Sequence, residues 1–217
     1  MPDEGAQARQ KARASRDDHL AGASFTVGGS LFAAGALLAQ TGADLLTVEV
    51  TYLVGGAFFS LGGWLSVLAS ATGSRARSSA VVLFAGTLLF AVSLVAAFAA
   101  GLTPRQSNTW VWFPDMLGCV CFLVSGHLAM LDVGDGRLRI RPGERDWWVA
   151  AVNQAGSYLF LLAGLAAFVR PATSEPVNVG LVNWGTFAGA VCFAIAGVIQ
   201  ARGFRARSWG TTSGWDG

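Results

Sequence analysis

Residues 155–168 read AGSYLFLLAGLAAF and residues 184–197 read WGTFAGAVCFAIAG. Neither stretch carries a charge, both are threaded with glycine and alanine, and each sets a phenylalanine four residues after a glycine, at Gly156/Phe160 and Gly189/Phe193. With their apolar flanks they extend to about 20 residues, enough for a helix to cross ~30 Å of hydrocarbon. They belong to a set of six such segments: His19–Gln40, Glu49–Ser70, Ser79–Leu102, Trp110–Leu131, Trp147–Val169 and Val179–Ala201. Backbone groups in lipid must satisfy one another, so segments of this length are expected to be helices. The alternating ~10-residue strands of an outer-membrane barrel are absent. The first segment follows 18 polar residues and precedes five similar ones, which argues against a cleavable signal peptide.

Composition agrees. Of 217 residues, 53% are hydrophobic and 13% charged, against about 25% charged in an ordinary water-soluble domain. A secreted disulfide framework, a nucleic-acid-binding domain and a disordered chain are excluded, and a net charge of +2 names no partner. The expected fold is an all-α polytopic membrane protein of six transmembrane helices.

The positive charges set the expected orientation. Arg9, Lys11, Arg13 and Arg16 precede span 1, Arg75 and Arg77 join spans 2 and 3, Arg137, Arg139, Arg141 and Arg145 join spans 4 and 5, and Arg202, Arg205 and Arg207 follow span 6. Only Arg105 and Arg170 fall in the alternate loops. Both termini are therefore expected in the cytoplasm, with Trp110, Trp112 and Trp184 at the outer headgroups and Trp147 and Trp148 at the inner ones. The expected organisation is a disordered cytoplasmic tail over residues 1–18, a membrane domain over 19–201 and a cytoplasmic tail over 202–217. Arginine outnumbers lysine 14 to 1, the composition of a GC-rich bacterial genome, which points to a bacterial inner membrane.

Each span repeats Gly-x-x-x-Phe-x-x-small, at Gly28/Phe32/Gly35, Gly55/Phe59/Gly62, Gly86/Phe90/Ser93, Gly118/Phe122/Ser125, Gly156/Phe160/Ala163 and Gly189/Phe193/Ala196. Six out of six by chance is on the order of one in 10⁵. AGTLLFAVSLVAAF from Ala85 matches AGSYLFLLAGLAAF from Ala155 at seven of fourteen positions, and GCVCF from Gly118 matches GAVCF from Gly189 at four of five. Spans 3–4 and 5–6 thus read as duplicated hairpins and spans 1–2 as a more diverged copy, over 79–131, 147–201 and 19–70. Residues i, i+4 and i+7 share one helix face. Glycine there admits a neighbouring backbone, and such small-residue seams supply much of the packing in lipid. The six phenylalanines fall near mid-span and are expected to form a dry layer, read either as bundle packing or as a hydrophobic gate.

These glycine-rich hairpins, GSLFAAG from Gly29 and WGTFAGAVCFAIAG from Trp184, resemble the YrhK-like family of small membrane proteins, whose unit is a helical hairpin carrying G-S-x-x-F-x-x-[GS]. The resemblance covers residues 20–201 as three units and implies a packing role for the motif, with no catalytic residue to carry over. Span 4 departs from it, with Pro114-Asp115 where span 6 has Gly185-Thr186.

Polar residues at membrane depth are functional candidates with structural alternatives. Asp115, just after Pro114, reads either as a first-turn acid at a helix start or as a group meeting Arg105, Arg170 or Asn183. His127, Asn153 and Gln154 lie near the inner end of spans 4 and 5, where they could form an interhelical hydrogen bond or a proton- or solute-handling cluster. Arg137, Arg139 and Arg141 alternate with Leu138 and Ile140 before Pro142-Gly143, the pattern of a short hairpin or an extended strip against anionic headgroups. Cys119, Cys121 and Cys192 read as small packing residues. The only lysine lies outside the spans, and the two histidines do not supply axial pairs for two haems. No paired carboxylates, Ser/His pair or metal motif stands at matching depth, so no cofactor and no enzymatic activity are expected. The expected partners are the bilayer, with anionic lipids, and a second copy of the chain. Two functions are open: a structural or lipid-interacting membrane protein, and a small-solute or ion transporter or channel with sites near Asp115 or His127/Asn153.

Overall fold

In the computed structural model, residues 4–209 are described, with side chains over 5–202. The elements are α1 (Glu4–Gln40), α2 (Leu45–Ala69), α3 (Arg75–Ala97), α4 (Pro104–Ser107), a π-helical turn (Asn108–Trp112), α5 (Phe113–Val133), α6 (Arg145–Ala166), strands β1 (Val169–Arg170) and β2 (Glu175–Pro176), and α7 (Val179–Trp209). Six helical segments are long and apolar enough to cross a membrane: 5–40, 45–69, 75–97, 104–133, 145–166 and 179–202.

Helix starts are written in local side chains. Asp44 caps α2, its carboxylate accepting the Thr47 N–H at 2.9 Å and the Thr47 hydroxyl at 2.6 Å. Ser74 caps α3 by accepting the Arg77 N–H, and Thr103 with Gln106 forms a capping box at α4. Asn178 accepts the Leu181 N–H as α7 begins. Gly42 and Gly73, with φ of +75° and +77°, make the reversals before α2 and α3 in a region that disfavours a Cβ.

Several boundaries differ from the sequence reading. Residues 4–18, expected to be disordered, are the opening turns of α1. Residues 202–209, placed in the C-terminal tail, continue α7, and residues 210–217 lie outside the described residues. Span 3 stops at Ala97 instead of Leu102, and span 4 starts at Pro104 instead of Trp110. The 134–144 loop forms no strands; among the described residues the one hairpin pairs Val169 with Pro176 and Arg170 with Glu175.

Span 4 is continuous through Pro114, which cannot donate to the Trp110 carbonyl and crowds it. The turn before it widens to a π turn, and the Phe113 N–H reaches back to the Asn108 carbonyl. Asn108 then holds β1 by both polar groups: its amide donates to the Val169 carbonyl and accepts the Val169 N–H. Trp112 donates its indole N–H to the Gly164 carbonyl at 2.8 Å.

The six long segments close into a ring in which each packs on its chain neighbours and α7 returns to α1. The start of the membrane part of α1 meets the end of α7, His19 against the Ala201 carbonyl and Gln200 donating to Asp18, and this end also carries the arginine-rich 134–144 loop. We call it the basic end. At the opposite end Asn183 reaches Gln40.

Within α1–α2, α3–α5 and α6–α7 the contact is reciprocal. A Cβ on Gly28 would meet Phe59 at 2.8 Å and one on Gly55 would meet Phe32 at 2.8 Å; Gly86 faces Phe122 and Gly118 faces Phe90; Gly156 faces Phe193 and Gly189 faces Phe160. Each helix thus sets its phenylalanine over its partner's glycine. The α1–α7 seam is built differently, from Gly22 against Gly197 and Gly29 against Ala190 and Ala194. These approaches are too close for any larger residue.

Outside, the distribution is inverted relative to a water-soluble bundle. Val81, Leu88, Val92 and Val95 on α3, and Leu61, Trp64 and Leu68 on α2, are exposed, while Ser79, Thr87, Ser93, Ser125 and Ser157 are buried. Exposed apolar bands of this extent fit helices long and apolar enough to cross a membrane.

Candidate functional site

Midway along the ring axis the six motif phenylalanines meet. Ring centroids of Phe59 and Phe193 lie 5.5 Å apart, Phe90 and Phe122 5.0 Å, Phe160 and Phe193 5.3 Å, and Phe32 reaches both Phe59 and Phe160 at 5.3 and 6.3 Å. The network joins all six, at the spacing favoured by aromatic pairs. The void left among them is about 10 Å³, close to the least volume that admits one water.

A cavity lies on each side of this layer. Toward the basic end the space is about 860 Å³ and reaches Lys11, Asp18, Asp132, Arg145, Asn153 and Gln200. Arg145 bonds Asp146 at 2.6 Å and the Gln200 carbonyl at 3.2 Å, and Gln200 donates to Asp18 at 2.8 Å.

Toward the opposite end a cavity of about 240 Å³ is floored by Phe32, Phe90 and Phe160 and walled by Tyr52, Trp112 and Cys119. Asp115 opens into it from α5, Ser93 from α3, Ser107 from α4 and Thr186 from α7. None of these four makes a side-chain hydrogen bond to a described residue, nor does the Tyr52 hydroxyl. Cys119 is occupied, donating to the Phe160 carbonyl at 3.4 Å. Gly164 on α6 makes room for the carboxylate: a Cβ there would stand 3.2 Å from Asp115 Oδ2.

The cavity linings follow the sequence motif. The residue three before the motif glycine is Tyr52, Asp115 or Thr186 in the three segments entering from the opposite end, and all three line the smaller cavity. In the other three it is Phe25, Leu83 or Asn153, and all three line the larger one.

Other candidate residues are dispersed. Asp115 stands in the first turn of α5, after Pro114, as expected, but helical backbone already runs into that turn from Pro104, eleven residues or about 16 Å earlier. It forms no ion pair with Arg105 or Arg170, and Arg170 instead approaches the Pro176 carbonyl. Asn183, buried, donates to Gln40 at 3.1 Å and so ties α7 to the end of α1 rather than meeting Asp115. His127 is exposed on the outside of α5 and joins neither Asn153 nor Gln154. Gln154 packs instead on Gly126 of α5, with its Oε1 buried and without a partner.

In the 134–144 loop, Arg141 bonds Asp135 at 2.6 Å and Glu144 at 3.1 Å, and these carboxylates hold its guanidinium above its ordinary pKa, Asp135 contributing most. Trp147 and Trp148 donate to the Arg139 and Pro142 carbonyls. Arg137 and Arg139 form no ion pair with a described residue, and Leu138 and Ile140 beside them are 61% and 82% exposed. Comparison with protein-family models, with curated proteins and with solved structures gives no match.

Proposed function

We propose that this chain is a multi-pass protein of a bacterial inner membrane, without enzymatic activity, that passes a small solute between two cavities across a phenylalanine constriction. Both termini are cytoplasmic in this reading, so the Asp115 cavity faces outward and the larger cavity inward. One observation carries it: a carboxylate at membrane depth opens into a cavity with no partner among the described residues. Ionisable groups in spans are otherwise paired or used, and a scaffold has no need of this one.

The three-hairpin organisation belongs to the same proposal, with the units related by rotation about the membrane normal, as in parallel repeats. The reciprocal glycine–phenylalanine contact in each hairpin supports it. Membership of the YrhK-like family rests on the motif and adds no activity.

The test is a leak assay. Liposomes holding the wild-type protein retain a KCl gradient, because six packed rings exclude water. Phe122→Ala with Phe160→Ala removes the centre of the layer and dissipates the gradient. A double variant that keeps its size-exclusion profile and stays as tight as wild type overturns the reading.

The exposed Leu138 and Ile140, alternating with Arg137 and Arg139, favour a second reading in which the inner loop inserts among anionic headgroups and the protein is a lipid-interacting one. Arg137→Gln with Arg139→Gln would then weaken binding of the purified protein to phosphatidylglycerol nanodiscs.

A further inference from the structure

We infer that the Asp115 cavity is a binding site for a small organic monocation, an alkylammonium no larger than about tetraethylammonium, with Asp115 as counter-ion and aromatic rings as walls. This rests on the solute-site reading of the same cavity and adds its substrate class. Charge comes first. Among the described residues, Asp115 is the only charged side chain lining the cavity, and no Lys, Arg or His reaches it. Once ionised, it leaves one negative charge uncompensated in the cavity, and a single positive charge is what offsets it.

The walls select among cations. Phe32, Tyr52, Phe90, Trp112 and Phe160 surround the space, and ring faces attract weakly hydrated cations strongly once water is excluded. A divalent metal would need a set of hard oxygen ligands, and no cluster of three His, Cys, Asp or Glu exists among the described residues. The hydroxyls of Ser93 and Thr186 remain free to take an N–H of a primary or secondary ammonium. Size sets the upper bound, because about 240 Å³ lies below the ~300 Å³ at which drug-sized pockets begin.

The probe is tetraethylammonium chloride, titrated calorimetrically into the purified full chain in neutral maltoside detergent, with sodium chloride at matched ionic strength as control. Wild type is expected to bind saturably and to gain thermal stability with the organic cation but not with sodium, as a ligand specific to the folded state requires. Asp115→Asn should weaken binding by about tenfold or more. Tyr52→Leu should weaken it by about two- to thirtyfold while Tyr52→Phe, which keeps the ring, stays near wild type. Should Asp115→Asn fail to fold, the Tyr52 pair carries the test alone.

No saturation by about 10 mM, or equal affinity in wild type, Asp115→Asn and Tyr52→Leu, overturns the inference. So does an equal stabilisation by sodium, which would mark a metal-ion site. The leak assay reads separately: a leaky phenylalanine variant with no cation binding refutes the substrate class and keeps the path. Asp115-dependent binding in a protein whose phenylalanine variant stays tight keeps the site and refutes the path.

Discussion

Ser79 on α3 and Ser125 on α5 exchange hydrogen bonds: each hydroxyl donates to the other's carbonyl, at 2.9 and 2.8 Å, with the two Oγ atoms 3.1 Å apart. Both side chains are buried. Interhelical hydrogen bonds in membranes average ~0.6 kcal/mol and reach ~1.7, because the separated helices find other partners. Ser79→Ala and Ser125→Ala should each cost about that much, and the double variant should cost less than their sum. Unfolding in mixed micelles measures the cycle, and strict additivity would mean the pair does not act as a unit.

The reciprocal seams should tolerate no bulk. Gly156→Leu or Gly189→Leu forces the α6 and α7 backbones apart, whereas Leu162→Ala trims an exposed side chain. Size-exclusion profiles and thermal unfolding in detergent should therefore collapse for either glycine variant and change little for Leu162→Ala. Unaltered melting of both glycine variants would show that these are not packing seams.

The Gln154 Oε1 is buried at a cost. It has no partner, and an unsatisfied buried amide oxygen costs about 1–3 kcal/mol. Gln154→Met keeps the length, removes the polar atoms and should raise the melting temperature. A drop instead would indicate that the amide has a bonded role.

Orientation is open to labelling. In a background without the three native cysteines, Ala76→Cys and Ile140→Cys should react only from the cytoplasm, and Gln106→Cys and Ser174→Cys with a membrane-impermeant maleimide from outside. External reaction at 76 or 140 reverses the assigned sidedness.

Asp44 gives the start of α2 a pH dependence. Its hydrogen bonds from the Thr47 hydroxyl and N–H hold its carboxyl below the ordinary carboxylate range. A lowered pKa means the cap is in place above the unfolded-state value and is lost as pH falls through the folded one. Hydrogen exchange at the Thr47 amide should thus accelerate, relative to its intrinsic rate, on acidification in wild type, and Asp44→Asn should flatten that profile.

What could be read from sequence followed from periodicity and from the absence of charge. The six spans and the face carrying each glycine and phenylalanine required only 3.6 residues per turn and a tally of arginines. Asp115 was harder, because Pro114 resembles a helix start, and only the capping box at Thr103 and Gln106 and the π turn reveal the helix running through it. One residue of helical phase separates His127 from Gly126. That rotation of about 100° puts Gly126 against Gln154 and His127 on the exposed side. Tyr52 carries no charge to mark it in the sequence, although its place three before Gly55 matches that of Asp115 before Gly118. The α1–α7 seam was invisible because Gly22, Gly29 and Gly197 fall outside the repeated motif, and ring closure is a property of the whole chain.

That closure bears on how the protein is made. The most extensive interface in the ring joins the first of its six helices to the last, so during synthesis α1 leaves the ribosome and enters the bilayer long before its partner exists. Until α7 arrives, the Gly22 and Gly29 face has only lipid or a membrane insertase against it, and the ring stands open along one side. Neither cavity is enclosed in that interval, since each is bounded by helices from both halves of the chain. A chain that lacks α7 therefore has neither cavity complete.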